Sequence, residues 1–427
     1  MFALYVRRTD SRFLLESLVF VDGVFNGVPL HTALGENVFK VLTLNQISVK
    51  GLDRLPRDQY EIASEFSSPD AVLLRSHKLS ADSIQDSVMA IARAGAGVNN
   101  IPVADCTSRG IPVFNTPGAN ANAVKELVIA GMALSSRGIL PGIDYVNGLS
   151  DISDAGEMSK LLEKEKKRFK GQELYGKTLG VVGLGAIGSL VASAGLDLGM
   201  DVIGYDPALS VEAAWRLPSS VKRMENIGSL FARADFISLH LPVLDATRGL
   251  INAELLANCK PTTRLLNFAR EEIVDNAAII AALDAGQLDR YIADFPAPGL
   301  IGRADVILMP HIGASTDEAE ENCAIMAADQ LRDFLENGNI KNSVNFPTLA
   351  LERSDGNRIA ISNNNVPKIL GNVLSVLADA DLNVIDMLNK SRADIAYNLI
   401  DIASALDGSV IDKISSIEGV INVRVIV

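Results

Sequence analysis

The string Gly183-Leu184-Gly185-Ala186-Ile187-Gly188 has the spacing G-x-G-x-x-G, and Asp206 stands 18 residues beyond its last glycine. Each glycine has a task in holding a pyrophosphate. The first permits a tight turn, the second lets the backbone approach the phosphates, and the third lets a helix pack against the preceding strand. The phosphates then meet free N–H groups at the positive end of that helix. The Asp206 carboxylate can accept hydrogen bonds from both ribose hydroxyls and would repel a 2′-phosphate, which favours NAD over NADP. Three further features could do chemistry. Arg270 closes the segment RLLNFAR, His311 follows VILMP, and Arg75-Ser76 close AVLLRS. Taking a hydride from a hydroxy acid needs a base for the hydroxyl proton and a cation for the carboxylate. Histidine suits the first because its pKa is near neutral, and arginine suits the second through its two-pronged donor geometry.

These residues need strand ends to position them, and the pattern supplies strands. TLGVVG (178–183) precedes the glycine string and IGSLVASAGLDLG (187–199) continues it as a helix. DVIGYD, FISLH, RLLNFA, YIADF and VILMP follow as short apolar strands with helical stretches between most of them, such as NAAIIAALDAG. Strands of this kind, buried on both faces, describe a doubly wound parallel sheet. Upstream, FKVLTL (39–44), AVLLRS (71–76), SVMAIARAG (87–95) and IPVFNTPG (111–118) continue an alternation of strand and helix signals. A long helix is expected from near Asn120, and another from near Ser315 to Gly338. The stretch 161–174, LLEKEKKRFKGQEL, reads as a solvated helix face; a sharper reading makes its cations reach a neighbouring subunit. The last 70 or so residues, after the linker NSVNFPTLALERSDGN, read β-α-β-β-α-β, a ferredoxin-like order. Residues 1–36 lack a clean period.

Composition bounds the answer. The 427 residues carry 48% apolar side chains, enough for several cores, and 39 basic against 52 acidic residues, net −13. That balance argues against a bulk nucleic-acid binder. Three scattered cysteines (Cys106, Cys259, Cys323) form neither a disulfide framework nor a zinc site and suit a reducing, cytoplasmic compartment. No apolar run reaches the ~18–20 residues a membrane helix needs, and no metal site is expected.

RAGAGVNNI (93–101), FNTPGANANAVKEL (114–127), GKTLGVVGLGAIG (176–188), LLNFAREEIVD (265–275) and MPHIGASTDEAE (309–320) together resemble the D-2-hydroxyacid dehydrogenases, and the C-terminal unit resembles an ACT domain. The resemblance implies two Rossmann-like domains. A discontinuous substrate-binding domain would span 37–119 and 300–345, an NAD-binding domain 120–299, and an ACT unit 357–427, with 1–36 as an extension dispensable for catalysis. It implies hydride transfer to NAD from 3-phosphoglycerate, giving 3-phosphohydroxypyruvate, the first step of serine synthesis. By the same resemblance His311 would be the acid/base and Arg270 would hold the substrate carboxylate and carbonyl oxygen. Arg75, Ser76, Gly97 and Val98 would contact substrate. The glycine string, including Ala186 and Ile187, and Asp206 would meet the adenosine end of NAD. Phe268, Ala269, Arg270 and Asp294 would meet its nicotinamide end, with Gly313 and Ala314 beside His311. A homodimer through the NAD domain, or a homotetramer, is implied.

Two departures stand out. The family places a glutamate, paired with the histidine, a few residues after the Asp294 position; here the segment is Asp294-Phe295-Pro296-Ala297-Pro298-Gly299. The family also has glycine where Glu271 follows the arginine. Asp294 is the nearest carboxylate to take the relay role, with a mixed effect on catalysis and cofactor binding expected. In the C-terminal unit Asn365 and Asn383 look like serine-binding amides, whereas Asn363 and Lys368 depart from the usual His and Gly, so weak or absent serine inhibition is expected. The residues leave two alternatives open: a dehydrogenase of another D-2-hydroxy acid (2-hydroxyglutarate, glycerate or lactate), and a non-catalytic NAD-binding regulator that senses an amino acid. Arg75, His77 and Lys78 would suit a phosphate.

Overall fold

The computed structural model describes residues 38–354 and 356–426. The expectation for residues 1–36 lies outside the described residues. Three sheets organise the rest. In the first, β1 (Phe39–Leu44), β2 (Tyr60–Ala63), β3 (Ala71–Leu74), β4 (Ala90–Arg93) and β5 (Val113–Phe114) lie in the order β2-β1-β3-β4-β5, every neighbour parallel. Short helices α1 (Val49–Leu52) and α2 (Val103–Ser108) accompany them. Strict alternation would make SVMAIARAG a helix after β3. It carries β4 instead, because Ala90, Ile91 and Ala92 are all buried between neighbouring strands and the two faces of the sheet.

The helices α3 (Ala121–Ser136), α4 (Ile139–Asn147) and α5 (Ala155–Glu165) lead to the second sheet. Its strands are β6 (Thr178–Val182), β7 (Asp201–Tyr205), β8 (Lys222–Arg223), β9 (Phe236–Leu239), β10 (Arg264–Asn267), β11 (Arg290–Ala293) and β12 (Val306–Leu308). They run parallel in the order β12-β11-β10-β9-β6-β7-β8. Helices α6 (Ala186–Asp197), α7 (Val211–Trp215), α8 (Ile227–Arg233), α9 (Ala253–Leu256) and α10 (Asn276–Asp284) connect them. Asn226 caps α8 and Asp275 caps α10, each side chain accepting an orphan N–H of the first turn. Gly131 of α3 faces the sheet: a Cβ there would sit 3.2 Å from both Ile292 and Phe268, so the missing side chain sets how closely the helix lies.

The expected domain boundary at residue 300 falls inside this sheet, since β12 pairs with β11. The chain returns to the first domain only with α11 (Asp317–Asn337), which packs on α1 and β4. The apolar triplet Val306–Leu308 carries no mark of which sheet it joins. The charged stretch after Leu161 completes α5 and a tight turn, with exposed pairs Lys166–Glu163 and Arg168–Glu165 one turn apart, a solvated face.

The third sheet holds β13 (Asn357–Asn364), β14 (Val384–Arg392), β15 (Ile395–Ile402) and β16 (Val420–Ile426), antiparallel in the order β14-β15-β13-β16. Helices α12 (Ile369–Asp379) and α13 (Gly408–Ser415) complete a β-α-β-β-α-β unit. Alternate residues serve two cores. Ile359, Ile361, Ile400 and Ile402 face the two helices. Ala360, Tyr397, Leu399 and Ile426 join Phe114, Leu331 and Phe334 in one core with the first domain. Each large apolar side chain so buried contributes about 1.5–3 kcal/mol, so this unit is docked on the first domain rather than tethered to it. Arg358 and Asp401, 0% and 1% exposed, form a two-pronged ion pair at 2.6 and 2.9 Å. The remaining Arg358 donors reach the carbonyls of Asn337, Leu351 and Glu352.

Candidate active site

Because all strands of the second sheet are parallel, their carboxyl ends share one edge. The strand order reverses beside β6, which opens the crevice where open α/β sheets bind ligands. Gly183 leaves β6 at φ 89°, and a Cβ there would lie 2.5 Å from the His240 carbonyl oxygen. At Gly188 a Cβ would lie 1.9 Å from the Gly183 oxygen. At Gly185 it would meet nothing within 4 Å. The loop is thus closed where it must pack and open where a pyrophosphate approaches. No side chain caps α6, so its first amides keep their capacity for an anion. Asp206 accepts from the Leu184 N–H at 2.8 Å and the Ala208 N–H at 2.9 Å, which fixes its carboxylate beside the glycine loop. Ala186 and Ile187 begin α6 at the same place. These residues fit a dinucleotide.

Phe268, Ala269 and Arg270 leave β10 at the same edge, with Phe268 and Ala269 buried and Arg270 half-buried. The Asn267 side chain braces the turn: its Nδ2 donates to the Arg270 carbonyl at 3.0 Å, and its Oδ1 accepts from the Ala269 N–H at 3.2 Å. Asp294 leaves β11 and His311 follows β12, so Arg270 and His311 stand two strands apart.

The geometry recasts the role expected of Asp294. Its carboxylate, 3% exposed, accepts from the Ile312 N–H at 2.8 Å and the Gly313 N–H at 2.7 Å. Both oxygens are engaged by the backbone that follows His311, and neither is hydrogen-bonded to the imidazole. His311 adopts a left-handed φ of 58° and its ring packs against Phe295, centroids 4.9 Å apart. Asp294 therefore shapes the turn that presents the histidine. Gly313 is buried, and a Cβ there would sit 2.9 Å from an Asp294 oxygen, so a side chain would press on that carboxylate; Ala314 follows it.

The first domain contributes the opposite wall. Its order β2-β1-β3-β4-β5 reverses between β1 and β3, and two residues that the sequence reading passed over bind the strand ends there. Asn45, at φ 74°, accepts from the N–H groups of Ser76 (3.1 Å) and His77 (2.5 Å). Asn100 donates to the carbonyls of Arg75 and His77. Arg93, at the end of β4, was also missed. Its Nε donates to the Arg75 carbonyl at 2.9 Å and its Nη1 to the Gly97 carbonyl. A Cβ at Gly97 would lie 3.1 Å from Arg93 Nη1 and 3.7 Å from Arg270 Nη2, so Arg270 of the second domain reaches the 97 loop of the first. Val98 lies half-buried behind that loop. Burial, and then the neighbouring Arg270 and Arg75 guanidiniums, hold Arg93 below the usual arginine pKa. Arg75 itself pairs with Glu320 of α11 at 2.6 Å, while His77 and Lys78 are exposed.

A fourth missed residue is His240, at the end of β9. Its Nε2 lies 2.8 Å from Ser238 Oγ, its Nδ1 is buried with no partner among the described residues, and burial pushes its pKa down to about 3. It is a neutral imidazole at the crevice, visible in the sequence only as the polar end of FISLH. In the C-terminal unit the two amides expected to act together lie apart. Asn365 donates to Ala393 at the start of β15, whereas the Asn383 carbonyl accepts from Ala403 beyond its end. Eight strand residues, roughly 26 Å, separate those ends within one chain. Asn363 accepts from Asn398 inside the sheet. Lys368 stands at φ 78°, a conformation that glycine adopts without strain.

Residues 146–313 match the family described as D-isomer specific 2-hydroxyacid dehydrogenase, NAD binding domain. The D-3-phosphoglycerate dehydrogenase of Synechocystis is 37% identical over 329 residues, covering 73% of this chain and 56% of the relative. That of Bacillus subtilis is 32% identical over 330 residues, covering 73% and 60%. The chain thus spans a little over half the length of the curated relatives it matches. Among solved structures, NAD+-bound 3-phosphoglycerate dehydrogenase of Entamoeba histolytica superposes with a TM-score of 0.57 at 29% identity, over 73% of this chain and 100% of that one. With the glycine loop, Arg270 and His311 arranged on one sheet edge, residues 146–313 match the NAD-binding domain of the D-isomer specific 2-hydroxyacid dehydrogenases, and the chain is similar to such enzymes over about 70% of its length.

Proposed function

We propose that this chain oxidises D-3-phosphoglycerate to 3-phosphohydroxypyruvate with NAD, in the first step of serine synthesis. The observation that carries this reading is the convergence of Arg75, Arg93 and Arg270, from two domains, on the cleft beside the Gly97 loop. A substrate with a carboxylate at one end and a phosphate at the other needs cations on both sides of its reacting carbon. Relatives bearing the name D-3-phosphoglycerate dehydrogenase support the choice of substrate.

NAD, when bound, supplies the acceptor for the hydride leaving C2. The rest falls to the chain. Gly97 and Val98 offer backbone N–H groups to the substrate carboxylate. Arg270 holds that carboxylate and, in the reverse direction, polarises the C2 carbonyl oxygen. His311 removes the C2 hydroxyl proton as the C2–H bond breaks, and returns it on reduction. Asp294 fixes the turn beneath His311. Arg75, with Ser76, takes the phosphate. Asp206 selects NAD by repelling a 2′-phosphate.

The β-α-β-β-α-β unit we read as ACT-like, with serine inhibition weak or absent because Asn363 and Lys368 depart from the usual His and Gly. The exposed apolar face of α4, with Ile143 52% and Val146 51% exposed, supports a homodimer through the NAD domain. The free cysteines suit a cytoplasmic enzyme. Oxidation of NADH, followed at 340 nm with phosphohydroxypyruvate, hydroxypyruvate, pyruvate and 2-oxoglutarate, tests the reading. Phosphohydroxypyruvate should have the highest kcat/KM. A higher value for any unphosphorylated acid would reject this substrate, and inactivity toward all of them would favour a regulator.

A further inference from the structure

Arg75 ends β3 at the reversal point of the first sheet, and its Nη2 lies 2.6 Å from Glu320 Oε1. Glu320 stands in the first turns of α11, which begins shortly after His311. The two side chains are 38% and 40% exposed, so the pair faces the cleft and not the core. They line one small recess, partly open to solvent, with Gln46, Ile47, Ser48, Ala94 and Ala324. Among the described residues Arg75 makes no other ion pair, whereas Arg93 is spent on the carbonyls of Arg75 and Gly97. Arg75 is therefore the guanidinium whose side-chain partner is itself an anion that can be exchanged.

We propose that Glu320 is a specificity-determining residue that occupies, on Arg75, the place of the substrate's anionic tail. The inference rests on the reading that Arg75 receives a phosphate. A 2-oxo acid without a charged tail leaves the Arg75–Glu320 pair intact and is indifferent to it. A phosphorylated acid must displace Glu320 from Arg75 and then bind beside its negative charge. Glu320 thus weakens binding of the phosphorylated substrate and helps it leave, without touching the reacting carbon. An exposed pair of this kind is worth at most about 1 kcal/mol, and displacing it corresponds to roughly a two- to fivefold change in affinity.

The test compares wild type, Glu320→Gln and Arg75→Ala, all loaded with NAD. Binding of inorganic phosphate is measured by calorimetry, and KM and kcat are measured with phosphohydroxypyruvate and with hydroxypyruvate. Glu320→Gln should bind phosphate about two- to fivefold more tightly and lower KM for phosphohydroxypyruvate to a similar degree. Its kcat should hold, and its KM for hydroxypyruvate should not change. Arg75→Ala should weaken phosphate binding. Phosphate binding that is unchanged or weaker in Glu320→Gln would overturn the inference, since Glu320 would then merely orient Arg75. Tighter phosphate binding in a protein that does not turn over phosphohydroxypyruvate would retain the Glu320–Arg75 exchange and reject the substrate assignment alone.

Discussion

Replacing Asp294 by asparagine separates two ways in which a carboxylate can serve His311. The Asp294 oxygens accept two backbone N–H bonds, at 2.8 and 2.7 Å, from Ile312 and Gly313. Asparagine keeps one acceptor oxygen and turns an NH2 toward the other N–H. One charge-assisted hydrogen bond is lost and one buried donor is left facing a donor, at a cost of about 2–4 kcal/mol. At roughly 2–4 °C per kcal/mol for a domain of this size, the melting temperature should fall by about 4–16 °C. The turn holding His311 at its left-handed φ would relax, and a displacement on the order of 1 Å at a catalytic group costs ~10²-fold in rate. Differential scanning fluorimetry and steady-state NADH assays on the same preparation read both effects. A positioning role predicts that stability and kcat fall together while KM for NAD changes little. A 10²-fold loss of kcat with an unchanged melting temperature would refute the reasoning, because the carboxylate would then act on the imidazole itself.

Three further outcomes follow from the same geometry. Asp206→Ala should narrow the preference for NAD over NADP by about 1–3 kcal/mol, read from the ratio of kcat/KM values; equal use of both cofactors by wild type would contradict the role given to this carboxylate. Asp401→Asn should destabilise the protein by about 3–5 kcal/mol, since it leaves the buried Arg358 charge uncompensated. Burial opposes ionisation of Asp401, but hydrogen bonds from Arg358 and Ser354 prevail and hold its pKa below the usual carboxylate value. Its stabilisation is therefore full above about pH 4 and lost as pH falls through the depressed pKa, so urea midpoints of wild type and variant should converge in strong acid. A chain starting at Val38 should fold and turn over normally; loss of cofactor binding would make residues 1–37 part of the active protein.

The parts of this site that were legible in the sequence are those whose chemistry needs a fixed local spacing. The glycine string, Asp206, Arg270 and His311 each sit at a strand end, and an apolar run followed by a polar residue marks such an end without any knowledge of partners. The parts that were not legible depend on contacts distant in sequence. Asn45 braces residues 31 and 32 positions away, and Arg93 acts through Arg75 and Gly97. Asp294 was located correctly, but which atoms its oxygens meet is decided by how β12 lies beside β11. The relative placement of Asn365 and Asn383 shows the same limit. Both flank α12 in sequence, yet the antiparallel register puts them at opposite ends of β15.

The C-terminal unit is tied to the catalytic turn by one helix. α11 runs 21 residues, about 30 Å. At its start Thr316 caps the first turn five residues after His311, and Glu320 meets Arg75. At its end the last carbonyls are taken by three side chains of the third sheet. Arg424 donates to Phe334 and Leu335, Arg358 to Asn337, and Tyr397 to Gly338, whose φ of 73° closes the helix. Two arginines at a helix C-terminus also complement its negative dipole end. The Arg424 guanidinium lies 4.4 Å from the Phe334 ring centroid, and Phe334 belongs to the core shared with the first domain. The third sheet therefore cannot shift against the first domain without breaking these bonds or moving α11 as a body. Moving α11 changes the Arg75–Glu320 contact and the approach to His311 together. The physical link between the C-terminal unit and the proposed active site is this helix, held at one end by the sheet and at the other by the residues proposed to meet substrate.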